Sequence, residues 1–183
     1  LSDREFDEAA WLSALSTSLA RHRPTLRPFT FLFDVKSISY RNDVARILTQ
    51  REMAMARSLV RDFRRFDPLY RPCHLDLSHS NIIRTDPGDY VFIDWEYSCV
   101  APQEAELAFM FAVDEIGEDR RKHFVGTFEE VTETSLNRDL LAILESLRIL
   151  FWLAWNCSKE NVPEAERDRW IAYYRSRLSD PSA

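Results

Sequence analysis

With 183 residues, 45% of them hydrophobic, the chain is long enough and apolar enough to fold around a real core. Its net charge of −6 comes from interspersed arginines and acids, which excludes a basic footprint for nucleic acid, and no apolar run is long enough to cross a membrane. Three widely spaced cysteines, Cys73, Cys99 and Cys157, exclude a disulfide framework or a zinc knuckle. They point to free thiols in a reducing compartment, the cytoplasm.

Phe6, Trp11, Leu12, Leu15 and Leu19 recur at helical spacing and predict a helix over residues 5–20. The aromatic run 29–33 reads as a short strand or buried loop. A second helix is predicted over 43–63, with Val44, Ile47, Leu48 and Leu59 on its buried side. Residues 81–85 and 90–94 are strand-like and flank Asp86-Pro87-Gly88-Asp89, a strong turn signal. After Pro102 the pattern is helical over 103–116, 119–133, 136–158 and 163–178. The expected fold is mainly α (α+β), a helical bundle with one small central β-hairpin.

The chemistry concentrates just before and within that hairpin, in His74-Leu75-Asp76-Leu77-Ser78-His79-Ser80-Asn81. His-x-Asp-x-x-His suggests metal ligation, whereas an aspartate followed five positions on by an asparagine suggests a phosphotransferase loop. With a Pro87-Gly88 turn, antiparallel partners have numbers summing to about 175, which sets Asn81 opposite Asp94. Asp76 lies on the loop feeding the same end. One carboxylate to take a proton, with an amide oxygen and a second carboxylate to hold magnesium, suits phosphoryl transfer.

His74-Leu-Asp76 with Asn81-Ile-Ile, followed by Phe92-Ile-Asp94-Trp95-Glu96-Tyr97-Ser98, resembles the aminoglycoside phosphotransferase and choline/ethanolamine kinase superfamily. Cys73-His74 and Asp94-Trp-Glu-Tyr-Ser look most like bacterial choline/ethanolamine kinases. The resemblance implies a protein-kinase-like C-terminal lobe spanning residues 1–183. It makes Asp76 the catalytic base, Asn81 and Asp94 the Mg2+ ligands, and ATP the co-substrate. His74 and Glu96 become structural supports, His74 bracing the loop, and His79 faces solvent or nucleotide.

Two positions depart from the family pattern. Leu75 stands where glycine or asparagine is frequent, and Glu106 stands where an aspartate is usual. The family's nucleotide-binding N-terminal lobe has no counterpart. The only glycines are Gly88, Gly117 and Gly126, which cannot form a phosphate loop, and Lys36 lacks the context of a nucleotide lysine. The chain also starts at Leu1, so a longer protein that includes that lobe is expected.

Trp152 and Trp155 lie three positions apart in a helical segment, and aromatic faces attract quaternary ammonium groups. By the resemblance, Tyr97, Trp152, Trp155 and Tyr173 match the cage that choline kinases build around their substrate. Without it, a pair of tryptophans at this spacing reads as core. The expected activity is transfer of the ATP γ-phosphate to a small-molecule alcohol such as choline or ethanolamine. Alternatives are a related kinase acting on thiamine or an aminoglycoside, a non-catalytic kinase-like binding module, and a His-x-Asp iron site, which the helical sequence downstream disfavours.

Overall fold

The computed structural model describes residues 8–21, 48–86, 89–157 and 162–178. The helices are α1 (Glu8–Arg21), α2 (Gln50–Phe63), α3 (Glu104–Val113), α4 (Glu118–Thr132), α5 (Arg138–Cys157) and α6 (Glu164–Arg177). Four short strands, β1 (Tyr70–Cys73), β2 (Ile82–Asp86), β3 (Asp89–Phe92) and β4 (Cys99–Pro102), form two antiparallel pairs, β1 with β4 and β2 with β3. The architecture is mostly helical with a small β element, as expected for a kinase-like C-terminal lobe. The run 29–33, Phe6, Lys36, Val44, Ile47 and the Pro87-Gly88 turn lie outside the described residues.

The described contacts gather into two compact units, residues 1–28 with 68–141, and 29–67 with 142–183. In the first, α3 reads Glu-Ala-Glu-Leu-Ala-Phe-Met-Phe-Ala-Val, and all but its last residue are buried. A helix apolar all round can only sit in a core. Trp11 of α1 is fully buried, with its ring 6.0 Å from Phe92 and 5.6 Å from Phe124.

The β1–β4 pair is an addition to the single hairpin expected from sequence, joining residues far apart in the chain, such as Arg71 with Ala101. The Gln103 N–H donates to the Leu69 carbonyl at 3.0 Å, which fixes the alternation of the ladder beyond it. Pro102 and Pro72 then both fall at non-hydrogen-bonded positions, where a missing N–H costs nothing.

In the second unit, α2 starts at Gln50, later than position 43. Thr49 caps it: its hydroxyl accepts from the Glu52 N–H at 3.2 Å, and the Glu52 carboxylate accepts from the Thr49 N–H at 2.6 Å. Leu48, Ala56 and Leu59 pack with Leu147, Leu150 and Leu153 of α5, and Trp170 and Ile171 of α6 join them. Glu52 also accepts from Arg175 Nε at 2.6 Å, tying α6 to the start of α2.

Burial of Glu52 pushes its carboxyl up, but the bonds from Arg175 and Thr49 outweigh this and hold it below the ordinary carboxylate range. A depressed acid stabilises the fold above its unfolded pKa and loses that contribution as the pH falls through its folded one. Arg175→Ala is therefore expected to cost about 1–2 kcal/mol at pH 7, less than a fully buried pair because Arg175 is partly exposed. Denaturant unfolding at pH 7 and pH 3 checks this: the gap between variant and wild type should close at the acid end.

Candidate active site

The hairpin brings Asn81 and Asp94 to its open end, one position out of the expected register. Ile82 pairs with Phe92 and Ile83 with Val91, so numbers sum to 174. The ladder is irregular between Arg84 and Asp86, which absorbs the extra residue near the turn. Asn81 therefore faces Ile93, whose N–H donates to the Asn81 carbonyl at 3.0 Å, and Asp94 follows directly.

Asp76 and Asn81 are joined. Asn81 Nδ2 donates to Asp76 Oδ2 at 2.7 Å and to the Asp76 carbonyl at 2.9 Å. Two acceptors on that side require the amide nitrogen there, so Asn81 Oδ1 is turned away from Asp76 and has no hydrogen bond among the described residues. The Ser78 N–H also donates to the Asp76 carbonyl at 2.9 Å. Three bonds thus hold the backbone and carboxylate of Asp76 in one place.

Asp94 adopts a left-handed conformation, φ 61° and ψ 60°, and opens a 3-10 turn over Trp95–Tyr97. Aspartate tolerates that region better than most residues. Its exposed carboxylate makes no hydrogen bond or ion pair among the described residues. Asn81 Oδ1 and the Asp94 carboxylate are thus hard oxygen donors left unclaimed among the described residues, a set that fits magnesium shared with phosphate oxygens.

His74 does not fit a metal. Its buried ring has Nε2 at 2.9 Å from the Ile93 carbonyl, and Nδ1 accepts the Asp76 N–H at 3.3 Å. Those two bonds select the neutral tautomer with the proton on Nε2 and engage both nitrogens, which removes the iron-site alternative. The ring lies 4.5 Å from that of Trp95, whose Nε1 donates to the Phe92 carbonyl at 2.8 Å. His74 therefore links the loop that carries Asp76 to the segment that carries Asp94. His79 is exposed, with Nδ1 3.7 Å from Asp114 at the end of α3. Glu96 is exposed in the 3-10 turn, and Tyr97 beside it is half-buried.

Sequence reasoning missed the part played by Glu106. Its Oε2 accepts the His74 N–H at 2.6 Å and its Oε1 the Leu75 N–H at 3.0 Å. Leu75 itself is left-handed, φ 66°, and fully buried. The signal was present: a glutamate inside an otherwise apolar helix has to find partners, because an unpaired buried carboxylate is prohibitively costly. Burial pushes the Glu106 carboxyl up to about 7, against the opposing effect of the two N–H bonds. Burial and the charge of Glu106 raise the Cys73 and Cys99 thiols as well, that of Cys99 to about 11, so both are inert free thiols.

Of the aromatic residues expected around a substrate, Trp152, Trp155 and Tyr173 belong to the second unit and Tyr97 to the first. Trp155 is 36% exposed and stacks on Phe151 at 6.0 Å, and the Phe151 ring also meets Trp152 at 5.9 Å. Trp152 is half-buried, with the Arg148 guanidinium 4.8 Å from its ring. Arg177 lies 5.6 Å from the Tyr173 ring and donates to its hydroxyl at 3.0 Å. Trp152 and Tyr173 thus each carry one of the protein's own cations on their rings. No helix among the described residues is long and apolar enough to cross a membrane.

Comparison with known proteins bears on this geometry. The choline kinase LicA from Streptococcus pneumoniae superposes with a TM-score of 0.68 at 22% identity, covering 93% of this chain and 61% of that one. A choline/ethanolamine kinase family protein from Mesorhizobium loti gives a TM-score of 0.70 at 15% identity, covering 96% and 62%. LicA in complex with AMP matches at 24% identity, with a TM-score of 0.65 and coverages of 93% and 61%. At these identities the likeness establishes the fold, and the chain spans about three-fifths of the length of these structures. No curated protein matches it in sequence. The phosphotransferase enzyme family model, APH, matches residues 9–144, a stretch that holds all but the first residue of α1, both strand pairs and the whole Asp76–Asn81–Asp94 arrangement. The chain belongs to the phosphotransferase enzyme family.

Proposed function

We propose that the chain is the C-terminal lobe of a small-molecule kinase that transfers the ATP γ-phosphate to an alcohol. The observation that carries this is the bond between Asn81 Nδ2 and Asp76 Oδ2, which holds the carboxylate in place and keeps the Asn81 amide oxygen off Asp76. The crystal structure of LicA with AMP supports a nucleotide as the donor.

In this reading the acceptor hydroxyl donates a hydrogen bond to the Asp76 carboxylate. As its oxygen forms the new bond to the γ-phosphorus, its proton passes to Asp76 and ADP leaves. Asn81 Oδ1 and the Asp94 carboxylate would hold magnesium, which supplies positive charge to the nucleotide phosphates when bound. His74 contributes by position, fixing the loop against the Asp94 segment.

Choline and ethanolamine lead as acceptors, with thiamine and aminoglycosides behind them. The guanidinium groups on Trp152 and Tyr173 favour a second reading, an acceptor without a quaternary ammonium, because each already fills a site on a ring. The test is Mg-ATP turnover by the full-length protein against choline, ethanolamine, thiamine, an aminoglycoside and a neutral polyol. Acceptor-dependent ADP release with a phosphorylated product is the expected result. ATP binding without transfer to any acceptor would leave only the binding-module alternative. If the quaternary ammonium of choline sits on Trp155, Trp155→Ala should raise KM about 3- to 30-fold with little change in kcat, equivalent to roughly 0.5–2 kcal/mol.

A further inference from the structure

The two departures from the family pattern meet in space, and their meeting places a titratable group under the catalytic loop. We propose that Glu106 is a positioning residue whose carboxylate holds the His74–Leu75 backbone in the left-handed turn that presents Asp76, and that protonation of Glu106 releases this hold. Glu106 is 1% exposed and gives one oxygen to each of two consecutive N–H groups. Both bonds are at full strength only with the ionised form: protonation makes one oxygen a hydroxyl, a much weaker acceptor, and the N–H on that oxygen is left poorly paired. Leu75 depends on this more than glycine would, because its φ of 66° is unfavourable for a branched side chain.

The surroundings leave the two proton states close in free energy. Glu106 makes no ion pair among the described residues. On β1 the neighbouring groups are the Cys73 thiol and Arg71, and on β4 the Cys99 thiol; Glu104, two positions back on α3, instead accepts the Asn137 N–H at 3.0 Å. The nearby side chains of α1 and α4 that share a cavity of about 200 Å3 with Glu106, Arg71 and Cys73 carry no titratable group. That cavity gives room for water beside the carboxyl. Burial is the largest influence and carries the carboxyl to about 7, so the change falls in the neutral range.

Stability and positioning then respond to pH in opposite senses. The folded pKa lies above the ordinary 4.5, so the native state binds the proton more tightly than the unfolded chain. Stability attributable to this group falls as the pH rises from about 4.5 to about 7 and is constant above that. The loop is held in the upper range, where that stabilisation has gone.

Two measurements test the proposal, and the activity arm rests on the phosphotransfer reading. In the full-length protein, kcat should fall toward tenfold per pH unit below 7, and Glu106→Gln, which cannot titrate, should give a lower but flat profile from pH 5.5 to 8. An acid limb that persists unchanged in Glu106→Gln belongs to another group, such as His74 or Asp76, and overturns the proposal. The second arm needs no activity: amide exchange at His74 and Leu75, corrected for intrinsic rates, should speed up severalfold between pH 8 and pH 6 in the wild type. Constant protection there overturns the proposal even if turnover is seen. Loss of protection in a protein that transfers no phosphate would uphold the clamp and sink the functional reading alone.

Discussion

Asp76→Asn is expected to lower kcat by about 10²–10⁴-fold while KM for both substrates and the melting temperature stay near wild type. The asymmetry follows from the hydrogen bonds around residue 76. Its carbonyl accepts from Asn81 Nδ2 and from the Ser78 N–H, and neither bond involves the carboxylate. An asparagine oxygen can replace Oδ2 as acceptor for Asn81 Nδ2 at 2.7 Å, so the loop keeps its brace. What the amide cannot do is accept a proton from the attacking hydroxyl. Steady-state kinetics on the full-length variant with a thermal melt alongside decide the matter. Turnover within a few-fold of wild type would show that Asp76 is not the base, whatever the family likeness.

The helices were legible because their apolar spacing is local information. Residues 103–116, 119–133, 136–158 and 163–178 became Glu104–Val113, Glu118–Thr132, Arg138–Cys157 and Glu164–Arg177, with ends shifted by a few positions. Helix α2 starts late because a capping box at Thr49 and Glu52 overrides apolar periodicity. The β1–β4 pair was illegible for a different reason. Tyr-Arg-Pro-Cys and Cys-Val-Ala-Pro are four residues long and each holds a proline, and their pairing depends on a partner far along the chain.

The site divided in the same way. Asp76, Asn81 and the hairpin were readable because a strong turn signal fixes the pairing to within one residue, and the irregularity at Arg84–Asp86 accounts for that one. Leu75 and Glu106 were visible only as two unrelated departures from a pattern. Their connection, two N–H bonds from one turn to one carboxylate 31 and 32 positions away, depends on how α3 packs beneath the loop. Nothing in local sequence encodes that. The guanidinium groups on Trp152 and Tyr173 were likewise hidden, although Arg148 and Arg177 each sit four positions from the ring they cover, a spacing that places side chains together on a helix.

Leu75 offers the largest stability effect and an ordering that only its backbone geometry explains. Its side chain is fully buried, so Leu75→Ala is expected to destabilise the protein by about 2–5 kcal/mol through lost burial and the cavity left behind. Leu75→Gly removes slightly more apolar surface and loosens the unfolded chain, which at an ordinary position makes glycine the worse replacement by roughly 0.5–1 kcal/mol. Here φ is 66°, and relief of the left-handed penalty, about 1–2 kcal/mol, outweighs both losses. The glycine variant should therefore be the more stable of the two, by up to about 1 kcal/mol. Equilibrium unfolding in urea at pH 8, where Glu106 is ionised and accepts from both N–H groups, measures the order directly. If the alanine variant proves more stable, residue 75 does not hold the left-handed conformation, and the close approach of its N–H to Glu106 goes with it.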